Sequence, residues 1–267
     1  MKIFILFFYI LLTSCTSVSF TERKQIMLLG DDVIYPQAFK AYKDFKKEAE
    51  LISEGENYRN IIEIKDNMKS GIKNYYKMKN LPDPTANFDW EVVLVKEDDV
   101  KNAWCMPGGK IAVYSGILGI ADNKNGIAAI MGHEIAHAVA RHGSERASQA
   151  VFLDMATMAL EGLVIGRPLS SQSRRLYQYF TTFGIMLPFS RSHEVEADYL
   201  GLIFMHFSGY DLSEAVKVWE RMSEDKSASN RVPQFLSTHP SSKNRIKNIK
   251  SWIPEIKEKF KEYESIN

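Results

Sequence analysis

Apolar residues recur every three or four positions from Pro36 to about Tyr76: Phe39, Tyr42, Phe45, Ala49 and Ile52, then Ile61, Ile64, Met68, Ile72 and Tyr75. That spacing predicts two amphipathic helices separated at Gly55. The run Leu81-Pro82-Asp83-Pro84 ends the helical region. The pattern then shortens. Residues 90–95 are β-branched and partly alternating, 102–106 read as a short second strand, and 110–114 as a third. Pro107-Gly108-Gly109 suits a tight hairpin between the last two, so a small antiparallel sheet is expected. Residues 126–148 predict a helix with Asn125 as its cap. It is apolar almost all round as far as Ala140, which places it at the centre of the protein. Residues 192–207, 212–223 and 241–249 predict further helices. The apolar stretch 151–165 contains Asp154 and Glu161 and is short, so it reads as a core helix or one lying on a membrane. Residues 168–188 read as partly irregular, a mobile segment over the functional site.

The N-terminus carries a different signal. Lys2 precedes an unbroken apolar run over residues 3–12. As a helix it rises about 15 Å, half of the roughly 30 Å needed to span a bilayer, so it suits a secretory leader. Leu12-Thr13-Ser14-Cys15 then looks like a bacterial lipobox, with Cys15 as the lipidated residue and the anchor to a membrane. Thr16 rather than Asp after it resembles an outer-membrane address. Two cysteines are present, Cys15 and Cys105. With Cys15 carrying lipid, Cys105 has no partner for a disulfide and reads as a small buried hydrophobe. Charge adds an exclusion: 34 basic against 33 acidic side chains make no electrostatic case for nucleic acid.

The chemistry lies in the central helix, at His133-Glu134-Ile135-Ala136-His137. Histidines four apart on a helix fall about 40° apart around the axis and one turn apart along it, so both imidazoles can reach one metal ion. Glu134 is offset by one position. It reaches a metal-bound water rather than the metal, as a general base does in zinc peptidases. A third protein ligand is needed. Glu194 and Asp198, in Ser192-His193-Glu194-Val195-Glu196-Ala197-Asp198, share a helix face, and one can ligate while the other accepts the free N–H of a ligating histidine. Glu194 is the better candidate ligand. Glu196 and His193 point elsewhere, and His142, five residues after His137, reads as an outer partner or a structural residue.

With these features the chain resembles the gluzincin family of the HtpX, Oma, LoiP and BepA type. The resemblance rests on Thr21-Glu22-Arg23-Lys24-Gln25, Met106-Pro107-Gly108-Gly109-Lys110 with Tyr114-Ser115-Gly116, the two His/Glu segments, and Thr238-His239-Pro240 with Arg245. It implies a zincin-like α+β fold, mainly α, with a central HExxH helix and a small antiparallel sheet. It implies one zinc ion per chain, with Glu194 as third ligand and Asp198 behind a ligating histidine. It also brings His239 near the zinc, as a switch that fills the open metal position or as an oxyanion donor; the alternative is a structural or capping residue beside Pro240. The chain then divides into a leader over 1–14, a linker over 15–35 and a metallopeptidase domain over 36–267. The implied activity is endopeptidase cleavage of misfolded or unassembled envelope proteins in a lipoprotein facing the bacterial periplasm, with an envelope assembly machinery as a further partner. Asn102, Ala103, Trp104, Cys105 and Met106, at a sheet edge beside the zinc, would bind an extended substrate by strand addition. The competing class is a non-catalytic, zinc-stabilised chaperone or assembly factor; Glu134 speaks against it, because a structural site needs no base.

Overall fold

Both helices expected before residue 80 form, as α1 (Asp31–Glu48) and α2 (Glu56–Met78), in the computed structural model. It describes residues 15–17, 23–160, 189–229, 234–239 and 243–261. The leader over 1–14 and the segment over 168–188 lie outside the described residues. Helix α1 starts at Asp31, ahead of Pro36, and Gly55, at φ +96°, makes the turn into α2. Ahead of them β1 (Cys15–Ser17) and β2 (Lys24–Ile26) form an antiparallel pair where the sequence suggested an extended linker.

The main sheet contains β3 (Leu51–Ile52), β4 (Glu91–Val95), β5 (Ala103–Met106) and β6 (Lys110–Tyr114), in the order β3-β4-β6-β5. It is mixed, which corrects the antiparallel expectation: β4 and β6 run parallel, Val93 beside Ala112. The chain leaves β4, builds β5 on the outside, and returns through the hairpin, so β6 fills the gap between them. Gly108 and Gly109, at φ +84° and +83°, make that hairpin. A Cβ on Gly108 would stand 2.4 Å from the Phe39 ring, so the turn packs directly on α1.

Alternation along the strands divides the interior into two. Val92, Leu94, Ala103, Ile111 and Val113 face the larger core. Val93, Val95, Trp104, Met106 and Ala112 face a smaller one closed by Ile34, Ala38, Ala41 and Tyr42 of α1. The chain continues through a 3-10 turn (Ser115–Ile117) and α3 (Leu118–Ala121) to α4 (Lys124–Val139), which is buried on all sides from Gly126 onward. Asn123, not Asn125, caps α4, accepting from Gly126 N at 3.0 Å. Asn125 instead accepts from Asp211 N. The single helix expected over 126–148 is broken. Arg141 takes a left-handed conformation, φ +62°, and the chain restarts as α5 (His142–Leu160). Then follow α6 (Arg191–Phe207), α7 (Ser213–Ser229), α8 (Gln234–Thr238) and α9 (Lys243–Lys259). Helix α8 was not foreseen, and α9 runs ten residues beyond the expected end at residue 249. No helix among the described residues is long and apolar enough to cross a membrane.

Candidate metal centre

Helices α4 and α6 cross at Gly132 and Gly201. A Cβ on Gly201 would come within 3.2 Å of Gly132 C and His133 N, so the two backbones pass in near contact. That approach sets the histidines of α4 against the carboxylates of α6. Ser190 starts α6, its Oγ accepting from His193 N at 3.2 Å, and Glu194 falls in the first turn, where the helix dipole favours a negative charge.

His133 Nε2 and His137 Nε2 stand 3.1 Å apart. Glu194 presents Oε2 at 3.5 Å to the first and Oε1 at 3.4 Å to the second. His239, just past α8, places Nδ1 3.0 Å from Glu194 Oε1 and 3.2 Å from His133 Nε2. One ligand atom from each of these four buried residues lies within 4.8 Å of the others. Two imidazole nitrogens facing each other at this distance need a proton or a cation between them. Buried Glu194 Oε2 accepts no hydrogen bond, and neither does Glu134 Oε1. Converging nitrogen and oxygen donors with lone pairs to spare, buried from solvent, fit zinc. Burial alone would push the Glu194 carboxyl up, but His239 and Arg245 hold it well below the usual range, so it is ionised and ready to ligate. His137 is pushed well down by burial and therefore neutral, as a ligand must be.

Glu134 stands apart from this set. Its Oε1 lies 3.3 Å from His239 Nε2. Burial pushes it up to about 7; His239 and Arg245 oppose the rise and Glu194 adds to it. A carboxyl poised there both takes and gives a proton near neutrality.

Behind His133 stands a carboxylate and an arginine. Asp198 Oδ1 is 3.1 Å from His133 Nδ1. Arg245 Nε and Nη2 grip the two Asp198 oxygens at 2.6 and 2.7 Å. Its Nη1 lies 2.7 Å from Glu194 Oε2, an ion pair without hydrogen-bond alignment. The guanidinium lies 3.6 Å over the Trp219 ring. Behind His137 stands His142, with the two Nδ1 atoms 2.9 Å apart. The break at Arg141 makes this contact by turning the chain back on itself. Glu196, which the helix pattern sets off the ligand face, accepts from His142 Nε2 at 2.8 Å. Phe189 stacks on His137 at 3.9 Å, and Phe235 on His239 at 4.5 Å.

Edge strand β5 lies beside α4, hydrogen-bonded to β6 on one side. Asn102 falls outside the strand proper, but its carbonyl accepts from Tyr114 N at 3.1 Å. Cys105 is half-buried, and burial pushes its thiol well up, which disfavours the thiolate. Sequence reasoning assigned no role to Arg245, Arg23 or Phe189. Arg23 and Arg245 stood within quoted motifs; nothing local marked Phe189.

The sequence profile of peptidase family M48 matches residues 65–253, which include His133, Glu134, His137, Glu194 and Arg245. The chain belongs to peptidase family M48. That family is one of zinc metallopeptidases, and the Oma and BepA proteins are members this chain is similar to. It is 38% identical over 159 residues to the mitochondrial metalloendopeptidase OMA1 of Schizosaccharomyces pombe, covering 57% of this chain and 43% of that protein. It is 37% identical over 149 residues to OMA1 of Arabidopsis thaliana, covering 56% and 28%. It is 25% identical over 151 residues to the beta-barrel assembly-enhancing protease of Escherichia coli K12, covering 54% and 30%. The chain thus matches less than half the length of each of these M48 relatives.

Proposed function

We propose that this chain is a zinc endopeptidase that hydrolyses misfolded or unassembled proteins of the cell envelope. The observation that supports the reading is a buried carboxyl, Glu134, raised to about 7 beside the converging donor atoms of His133, His137 and Glu194, which suits a general base next to three metal ligands. Zinc, when bound, supplies a Lewis acid that polarises a carbonyl and acidifies a water. The chain's own residues do the rest. Glu134 takes a proton from the attacking water on its carboxylate as the C–O bond forms. It then passes that proton to the amide nitrogen, so that the C–N bond breaks to a free amine. β5 offers the backbone of Ala103, Trp104, Cys105 and Met106 to an extended peptide. Main-chain pairing selects for unfolded strands rather than for a sequence. The name of the Escherichia coli relative, an assembly-enhancing protease, agrees with such a task.

His239 acts as a lock in this reading. Its ring nitrogens lie 3.0 Å from a ligand carboxylate and 3.3 Å from the base, so it fills the space where substrate and water must sit. The experiment compares one protein in folded and unfolded form as substrate. The parent cleaves the unfolded form and spares the folded one, and His239→Ala cleaves the unfolded form several-fold faster. Equal cleavage of both forms would end the quality-control reading. A slower His239→Ala with unchanged zinc content would make His239 an oxyanion donor instead.

Localisation in the bacterial envelope, facing the periplasm and at the outer membrane, is proposed from the lipobox at Cys15 and from Thr16. Cys15→Ser is expected to abolish incorporation of labelled fatty acid and release the protein from membranes. A variant that still carries label and still sediments with membranes contradicts the anchor.

A further inference from the structure

Arg23 lies just ahead of β2, outside the residues that the M48 profile matches. Its Nε donates to Glu196 Oε2 at 2.5 Å, and its Nη1 lies 2.8 Å from Glu145 Oε2. Glu145 and Glu196 come from α5 and α6, and are 5% and 6% exposed. The same Glu196 oxygen meets His142 Nε2 at 2.8 Å. His142 stacks on His193 at 4.2 Å, and His193 Nε2 reaches Glu145 Oε2 at 3.2 Å. This group ends on a metal ligand, because His142 Nδ1 meets His137 Nδ1 at 2.9 Å.

The partners dictate where the protons sit. An ionised carboxylate only accepts, so His142 donates from Nε2 to Glu196. Its Nδ1 is then the acceptor, and His137 donates to it from Nδ1. That leaves His137 Nε2 as a bare lone pair, directed at His133 and Glu194. Metal ligation requires this tautomer, and outer hydrogen bonds are what fix it. Two nearly buried carboxylates keep such an arrangement only with a cation between them. A guanidinium spans both with separate nitrogens, whereas an ammonium is a single point of charge.

We propose that Arg23 is a positioning residue of the zinc site: by holding Glu196 and Glu145 it fixes, through His142, the tautomer and orientation of His137. Each ligating histidine then has a carboxylate and an arginine behind it. For His133 these are Asp198 and Arg245, in direct contact. For His137 they are Glu196 and Arg23, reached through His142. The segment ahead of α1 is therefore part of the metal centre.

The proposal rests on ligation by His137, and the test separates the two. Zinc affinity of the full chain is measured by competition with a chromogenic chelator for the parent, Arg23→Gln, Arg23→Lys, His142→Phe and the Arg23→Gln/His142→Phe pair. Thermal melting of the chelated proteins is recorded alongside. Arg23→Gln is expected to weaken zinc binding by about 10–100-fold, with part of the loss recovered in Arg23→Lys. The pair is expected to bind no more weakly than His142→Phe alone, because the connection is already cut. Unchanged zinc affinity in Arg23→Gln, with only a lower melting temperature, overturns the proposal, and so do losses that add in the pair. If Arg23→Gln is too unstable to purify, full parental affinity in Arg23→Lys overturns it as well. Failure of the underlying assignment shows separately, as a His137→Ala variant that keeps its zinc.

Discussion

Glu134→Gln is expected to fold, to retain zinc at the parental level and to lose about 10²–10⁴-fold of its turnover on an unfolded substrate. The substitution keeps the size of the side chain and removes only its capacity to take a proton. Zinc retention follows from the geometry. On the proposed ligation the donors are His133, His137 and Glu194, and Glu134 lies outside the cluster of residues that could hold a metal. Stability should change little, and in the favourable direction: burial pushes the Glu134 carboxyl up to about 7, so ionising it near neutral pH works against the fold, and an amide carries no such cost. The measurement is kcat on unfolded casein beside metal content of the same preparation. Parental turnover in the variant removes Glu134 from the mechanism and admits the non-catalytic chaperone as the better reading.

Arg245→Met should have the largest effect on stability. The guanidinium is fully enclosed, in contact with Asp198, Glu194, His133 and the Trp219 ring. A methionine fills similar space but leaves Asp198 and Glu194 without their cation. Breaking a buried pair from one side costs about 3–5 kcal/mol, against a total stability of about 5–15 kcal/mol for an ordinary domain. Urea denaturation of the chelated proteins measures it. The sign with pH is fixed by Glu194. Its folded pKa lies below its unfolded value, so its contribution is fully present above an unfolded pKa of about 4.3. It fades as pH falls below that and through the folded value. The gap between variant and parent should therefore narrow in acid. A constant gap across that range would mean that lost packing on Trp219, not charge, is what the arginine contributes.

The clustering of the candidate site residues was legible because it is local. His133 and His137 share a helix face by spacing alone, and Glu194 and Asp198 do the same on α6. The helices before residue 80 and the β5–β6 hairpin were legible for the same reason, through apolar periodicity and Pro107-Gly108-Gly109. What failed is what depends on distant partners. The parallel pairing of β4 with β6 follows from where β5 lands, and nothing in either strand states it. The break before His142 occurs at an arginine in a left-handed conformation, where no glycine marks it. Arg23 is 173 residues from Glu196 and Arg245 is 47 from Asp198, so neither role could come from a helix face. The helical pattern set Glu196 off the face shared by Glu194 and Asp198, but could not give its contact with His142.

The most direct test of the account is zinc dependence of peptide-bond cleavage. The purified protein is stripped with a chelator, assayed on unfolded casein, and assayed again after a stoichiometric addition of zinc. The account predicts no cleavage by the stripped protein, restoration on zinc addition, and no restoration in a Glu194→Ala variant, which has lost a ligand. Cleavage that survives chelation, or a Glu194→Ala variant restored to the parental rate, would contradict it.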